Sequence, residues 1–446
     1  MKKWIAIILA ALVVALVILL VPNRIAKNYY REALIAMDSL DYQNAADYAT
    51  KAIKFKKKND TYFLLRAEAN YQLNNIDNAL KDYTKAISLN DSSLSAYQGR
   101  GLAYFKKNNM DEAIADFDKA LSLGAKSADL FYFKGLIANR QERYEDAIDL
   151  LSKAIDRDRL NGDAFHARGI AYANLGKLDK SAEDYNKAIE LNKRNLEAYK
   201  NRVRYRIDKE DYQGAIADYD AIIDMEPGNH KALYQRGYFK LRIRDFAGAE
   251  KDFSRAIELN SEDALFFQKR GNSKSGQGKF DAAIEDYNKS ISIDKQNSET
   301  YYYKGMALLQ LKKLDEAFTS FQNATQLDGD YAEAYYMLGV VKAQESDYET
   351  SIKYFTQAVS KDQTYAEAYF GRAVSRGILG KHEIAINDYD NYIKLRPKDG
   401  AAYYNRGISK VNLNNFQEAC KDFTKAIELG YEPAREKKTM YCSNYE

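Results

Sequence analysis

The chain repeats itself every 34 residues, which restricts it to a fold in which one small unit is stacked many times. Stepping by that period from Tyr29 meets Phe63, Tyr97, Phe131, Phe165, Tyr199, Leu233, Phe267, Tyr301, Tyr335, Tyr369 and Tyr403, aromatic at all but Leu233. The column from Ala33 is Gly or Ala except at Val203. The column from Ala45 is Ala except at Ser181 and Ser351, and the column from Ala49 is aromatic from Tyr83 to Phe423 except at Leu151. Nothing interrupts the count: twelve units of 34 fill residues 26–433, with 25 residues before them and 13 after.

Within each unit two apolar stripes at three- and four-residue spacing flank a short polar turn, such as residues 106–109, so each unit reads as a helix hairpin. A small residue on one helix facing a small residue on the other lets the backbones approach, while the aromatic columns fill the space above and below. Exchanging Ala249 for Leu is expected to overpack that crossing by about 1–3 kcal/mol. Only four prolines occur in 446 residues, in keeping with a chain made of helices.

The pattern Ala96-Tyr97, Gly101, Ala103-Tyr104, Ala113, Phe117, Ala120 resembles the tetratricopeptide repeat. The resemblance covers residues 26 to 433. It implies an all-α fold, a right-handed superhelical α-solenoid of twelve helix-turn-helix repeats whose first helices line a concave, partner-binding surface. The first unit departs from the pattern at Ala33 and Ala49, and the family's closing proline survives only at Pro227 and Pro397. After Gly430-Tyr431-Glu432-Pro433, residues 434–441 read as a capping helix for the open end of the stack, so that 434–446 form cap and tail.

Ahead of the repeats, Trp4 to Val21 is an unbroken run of 18 apolar residues between Lys2-Lys3 and Pro22-Asn23-Arg24. As a helix it would span roughly 27 Å, close to the thickness of a bilayer core. A cleaved signal peptide is the competing reading, but the run is long for one and no small-x-small site follows it. Residues 1–25 are therefore expected to form an N-terminal transmembrane signal-anchor, making a single-pass membrane protein. Charges on the two sides nearly balance; the large domain that follows suggests repeats on the extracytoplasmic, periplasmic side, with a cytoplasm-facing array as the alternative.

Charge and composition exclude several kinds of function. With 67 Lys and Arg against 64 Asp and Glu, the net charge of +3 gives no basic excess with which to release counterions from nucleic acid. His166, His230 and His382 are far apart, and the only cysteines, Cys420 and Cys442, form no CxxC, so no metal-ligand set is visible. The stretch from Arg270 to Lys279 looks like a phosphate loop, yet Gln277 follows Gly276 where a lysine is required, and the segment falls in register with the first helix of the eighth unit. No cofactor, nucleotide or catalytic group is expected, and the chain reads as a non-catalytic scaffold.

The repeats also allow an internal test of pairing. Arg precedes the small-residue column at Arg66, Arg100, Arg168, Arg202, Arg236, Arg270, Arg372 and Arg406, and in those same units Asp stands sixteen residues later, from Asp82 to Asp422. The four units without the Arg also lack the Asp. An Arg–Asp bridge inside each such hairpin is expected; a ladder of arginines binding anions is the alternative, which an unpaired, exposed Arg236 would favour.

A candidate partner site lies in the last four units, whose first helices carry a second stripe: Tyr302 and Met306, Tyr336 and Val340, Phe370 and Val374, Tyr404 and Ile408. By the family resemblance these columns line the concave groove. Glu299, Glu333 and Glu367 lie on its rim, so a peptide or helix with apolar anchors and basic flanks would fit; burial of the stripe between neighbouring helices is the alternative. Lys200, Arg204, Lys231, Tyr234, Tyr238 and Arg242 form a second patch that could grip an anionic partner, or be ordinary solvated charge. No three consecutive units supply the Lys, Asn and Arg set of the family's carboxylate clamp. Cys420 and Cys442 could join in a disulfide that ties down the cap, with buried free thiols as the alternative. The expected function is a membrane-anchored scaffold that binds a protein partner to support assembly at the cell envelope, or else a cytoplasm-facing anchored adaptor or receptor for client proteins.

Overall fold

The computed structural model describes residues 2–443, in which twenty-five helices follow one another. From the second repeat onward the first helix of each hairpin (helix A) starts every 34 residues, at Asp60, Leu94, Ala128 and so on to Gly400, and the second (helix B) starts sixteen residues later. Asn or Asp commonly stands just ahead of helix A. Asn59, Asn161, Asn229 and Asn297 each accept a hydrogen bond from the backbone N–H three residues on, satisfying a donor that the first turn leaves free.

The turn from A to B is the same in all twelve hairpins. One residue, from Leu40 through Glu142 and Arg244 to Asn414, adopts the left-handed conformation with φ between 57° and 76°, and only Gly176, Gly278 and Gly380 are glycines there. The N–H of the residue after it reaches back five positions, as Arg143 does to the Ala138 carbonyl at 2.9 Å, so the turn closes each A helix by backbone bonds.

Two units are distinguished, Met1–Tyr205 and Arg206–Glu446. The first holds repeats 1–5 and most of the A helix of repeat 6; the second holds the remainder and ends in the helix Ala434–Cys442. In both, the small column packs against the aromatic column of the same hairpin. A Cβ added to Gly305 would lie 2.7 Å from the Phe321 ring, and one added to Gly101 2.6 Å from Phe117, both rings being fully buried.

The Arg–Asp bridges are formed in seven repeats. Arg66–Asp82, Arg100–Asp116, Arg168–Asp184, Arg236–Asp252, Arg270–Asp286, Arg372–Asp388 and Arg406–Asp422 all close to 2.5–2.8 Å. Arg202 and Asp218 fall in different units. Arg236 is neither exposed nor unpaired, which removes the argument for an anion ladder. The third guanidinium nitrogen, Nη1, donates back sixteen residues to the preceding B helix, as from Arg66 to Thr50, Arg168 to Ser152 and Arg406 to Asp390, so each of these arginines also joins one hairpin to the last.

The expected membrane anchor is corrected. The run Trp4–Val21 is the leading part of a 37-residue helix, Lys2–Asp38, that continues through Pro22 into the A helix of repeat 1. Its later turns carry Arg24, Lys27, Arg31 and Glu32 and bury Ala26 and Ala33. Among the described residues no helix is long and apolar enough to cross a membrane. Neither the single-pass anchor over 1–25 nor a membrane side for the repeats is kept. Several side chains of the run, those of residues 6, 12, 13 and 15–20, lie outside the described ones.

Candidate partner-docking surface

Tyr302, Tyr336, Phe370 and Tyr404 occupy one column of the A helices Ser298–Gln310, Ala332–Gln344, Ala366–Ile378 and Gly400–Asn412, and Met306, Val340, Val374 and Ile408 lie one turn further on. All eight are half-buried. Each aromatic rests on the buried ring of its own B helix, with centroids 5.8 Å apart for Tyr302–Phe321 and 5.5 Å for Tyr336–Phe355. A further ring lies against each: Tyr331 on Tyr302 at 5.1 Å, Tyr365 on Tyr336 at 5.2 Å, Tyr392 on Phe370 at 5.0 Å and Tyr431 on Tyr404 at 5.2 Å. The stripe is therefore fixed in place without being sealed off.

Tyr331 and Tyr365 were not singled out by the sequence. Each immediately precedes an A helix, and they stand one period apart, a signal that stepping by 34 from Tyr331 could have found.

The acidic rim is unevenly neutralised. Glu299 lies 3.9 Å from Lys269 and Glu367 3.4 Å from Arg396, whereas Glu333 is exposed and has no cation partner among the described residues. Burial, followed by neighbouring carboxylates and tyrosines, raises the pKa of Tyr302, Tyr331, Tyr336 and Tyr365, so all four hydroxyls stay protonated at neutral pH. One repeat earlier in the same column, Gln268 is fully buried; its Nε2 lies 3.4 Å from Glu299 and its Oε1 has no hydrogen-bond partner.

The second patch divides between the two units. In the first, Lys200 pairs with Glu197 at 3.1 Å and Arg204 is exposed. In the second, Lys231 is exposed, Tyr234 lies 5.4 Å from the Phe266 ring, Tyr238 packs edge-on to Phe239, and Arg242 sits 5.6 Å over the Tyr212 ring. The phosphate-loop lookalike is the end of the helix Ala264–Gly276: Lys274 pairs with Asp286 at 2.8 Å, and a Cβ on Gly276 would meet Phe246. His166 Nε2 accepts from the Asn201 side-chain NH2 at 3.0 Å, and Cys420 and Cys442 are joined by a disulfide between the last B helix and the terminal helix.

A stack of helical hairpins repeated at a constant period, with a half-buried aromatic stripe along its A helices, is a helical-repeat protein. More particularly, the chain belongs to the tetratricopeptide repeat family. Tetratricopeptide repeat models match residues 30–93, 64–129, 98–161, 162–195, 200–264, 332–365 and 400–429, and a TPR repeat model matches 271–312 and 305–345. Among solved structures the chain is similar to YrrB, described as a TPR protein with an unusual peptide-binding site, at 30% identity over 42% of this chain and 97% of that one, TM-score 0.37. It is similar to MamA at 29% identity over 40% of this chain and 95% of that one, TM-score 0.36, and to yeast Tom70 at 14% identity over 87% and 96%, TM-score 0.40. No curated protein sequence matches the chain significantly.

Proposed function

We propose that the chain is a non-catalytic docking scaffold that binds a peptide or helix of a protein partner along the A-helix face of repeats 9–12. The observation that carries this is the half-burial of all eight stripe residues over four consecutive repeats, each aromatic held between two other rings. Rings already held in one position lose little conformational entropy when a partner lands on them, and their outer edges remain to be covered. Helices stacked at a constant period present such edges at regular intervals, which suits an extended or helical segment with repeated apolar anchors.

The test is selection of random twelve-residue peptides displayed on phage against the full chain, repeated against the variant Tyr336→Ala/Val340→Ser, with circular dichroism confirming that its helices are kept. Peptides enriched on the native chain and lost on the variant support docking on this face. Enriched peptides that bind both chains equally would place docking elsewhere and overturn it.

A further inference from the structure

We propose that the docking face of repeats 9–11 receives a lysine or arginine side chain of the partner peptide, seated against the tyrosines Tyr302, Tyr331, Tyr336 and Tyr365 with Glu333 as its counter-ion. The proposal rests on the docking face argued above and names the chemistry of its occupant.

The four rings form two touching pairs, Tyr302 with Tyr331 and Tyr336 with Tyr365, in adjacent repeats. None of their hydroxyls has a hydrogen-bond partner among the described residues, so each is free to receive one from a ligand. Aromatic faces attract a cation through their quadrupole, and a carboxylate among them adds a full opposite charge. Glu333 stands in the first turn of the helix Ala332–Gln344, two residues after Tyr331 and three before Tyr336, which places it beside one member of each pair.

Three of the cations nearby in sequence are committed to other acids: Lys342 to Glu345 at 2.7 Å, Lys361 to Asp330 at 3.0 Å and Arg396 to Glu367 at 3.4 Å. Glu333 is the second residue of its helix, where the helix dipole favours an acid whatever its function. That explains the charge but not the tyrosines around it. Asp129 has the same place in the helix Ala128–Arg140 of the first unit, but Ser127 stands where Tyr331 and Tyr365 precede their helices, and Tyr132 pairs instead with Phe133 of its own helix at 5.2 Å, so Asp129 serves as a control.

The experiment takes the synthetic form of the most enriched displayed peptide, labelled with fluorescein, and measures its binding to the full chain by anisotropy. The expected peptide carries Lys or Arg beside an apolar residue. Its affinity is expected to fall about fivefold on Glu333→Gln, about tenfold on Tyr336→Ala, and with added salt, while Asp129→Asn leaves it unchanged. A peptide without basic residues that is weakened by Tyr336→Ala but not by Glu333→Gln overturns the cation seat and leaves the docking face standing. A peptide indifferent to both variants, or no enrichment at all, overturns both.

Discussion

Arg236 holds Asp252 through two nitrogens, Nε at 2.9 Å and Nη2 at 2.5 Å, and donates from the third, Nη1, to Asp220 of the preceding hairpin at 2.7 Å. Lys240, one turn further along the same helix, reaches Asp252 at 2.9 Å, so this 3%-exposed aspartate carries two cations. Charges taken out of water cost free energy that their attraction only partly offsets, but removing one partner leaves the others uncompensated. Asp252→Asn is expected to destabilise repeats 7 and 6 by about 3 kcal/mol, read by hydrogen exchange on the flanking helices. The triple variant Arg236→Met/Lys240→Met/Asp252→Leu is expected to cost less than Asp252→Asn alone. A triple variant worse than the single one would show that the bridge stabilises the hairpin outright.

Glu142 is in the left-handed conformation at φ 59°, exposed, in the turn where repeat 5 has Gly176 at φ 70°. Side chains other than glycine are crowded there by their own Cβ, at a cost of roughly 1–2 kcal/mol, partly offset by the greater freedom glycine brings to the unfolded chain. Glu142→Gly is expected to stabilise repeat 4 by about 0.5–1 kcal/mol. Slower amide exchange in Ala128–Arg140 and Tyr144–Arg157 would register it. Faster exchange would mean that the side chain contributes more than its strain removes.

How much of this could be read from the sequence follows from what each position packs against. Gly305 and Phe321 meet the same environment in every repeat, so their chemistry recurs at the period and the hairpin is legible. Arg236 and Asp252 were legible because their absence is also paired. The left-handed turn was not, because backbone bonds hold it and Leu40, Glu142, Arg244 and Ser346 all serve there. Lys240 on Asp252 was missed since its column holds Ala, Leu, Asn and Tyr as well as Lys and Arg, and only some of these bind the aspartate. Tyr331 and Tyr365 precede their helices, outside the stripe that helical spacing picks out. The N-terminal run was misread because apolar content does not say where a helix ends; here it continues to Asp38.

His166 is half-buried in the helix Gly162–Asn174, with Nε2 3.0 Å from the Asn201 side-chain amide. Burial lowers its pKa from the ordinary 6.5, more than Asp163 and Glu197 raise it. With the folded value below the unfolded one, the unfolded chain binds more protons as pH falls through 6.5, so the stability this residue supports is present above that pH and lost below it. Urea titrations at about pH 8 and about pH 5 should show the loss, and His166→Gln, which cannot charge, should reduce the difference. An unchanged difference in the variant would assign the acid sensitivity to the carboxylates.

The disulfide between Cys420 and Cys442 closes a loop of 22 residues and holds the terminal helix Ala434–Cys442 over the last repeat, where Phe416 stacks on Tyr441 with centroids 6.2 Å apart. Both cysteines are buried, at 7% and 1% exposure, so an alkylating reagent should modify them only after reduction under denaturing conditions. Closing a loop of that length restricts the unfolded chain by about 3 kcal/mol, a gain that Cys442→Ser forfeits. In a stack where each hairpin touches chiefly its neighbours, the loss should stay near the end. Amide exchange is expected to rise in Phe416–Glu428 and Ala434–Cys442 and to stay unchanged in Ser298–Gln310. If the docking face of repeats 9–11 loosened as well, the terminal helix would be a support for the whole binding surface and not only a lid on the last hairpin.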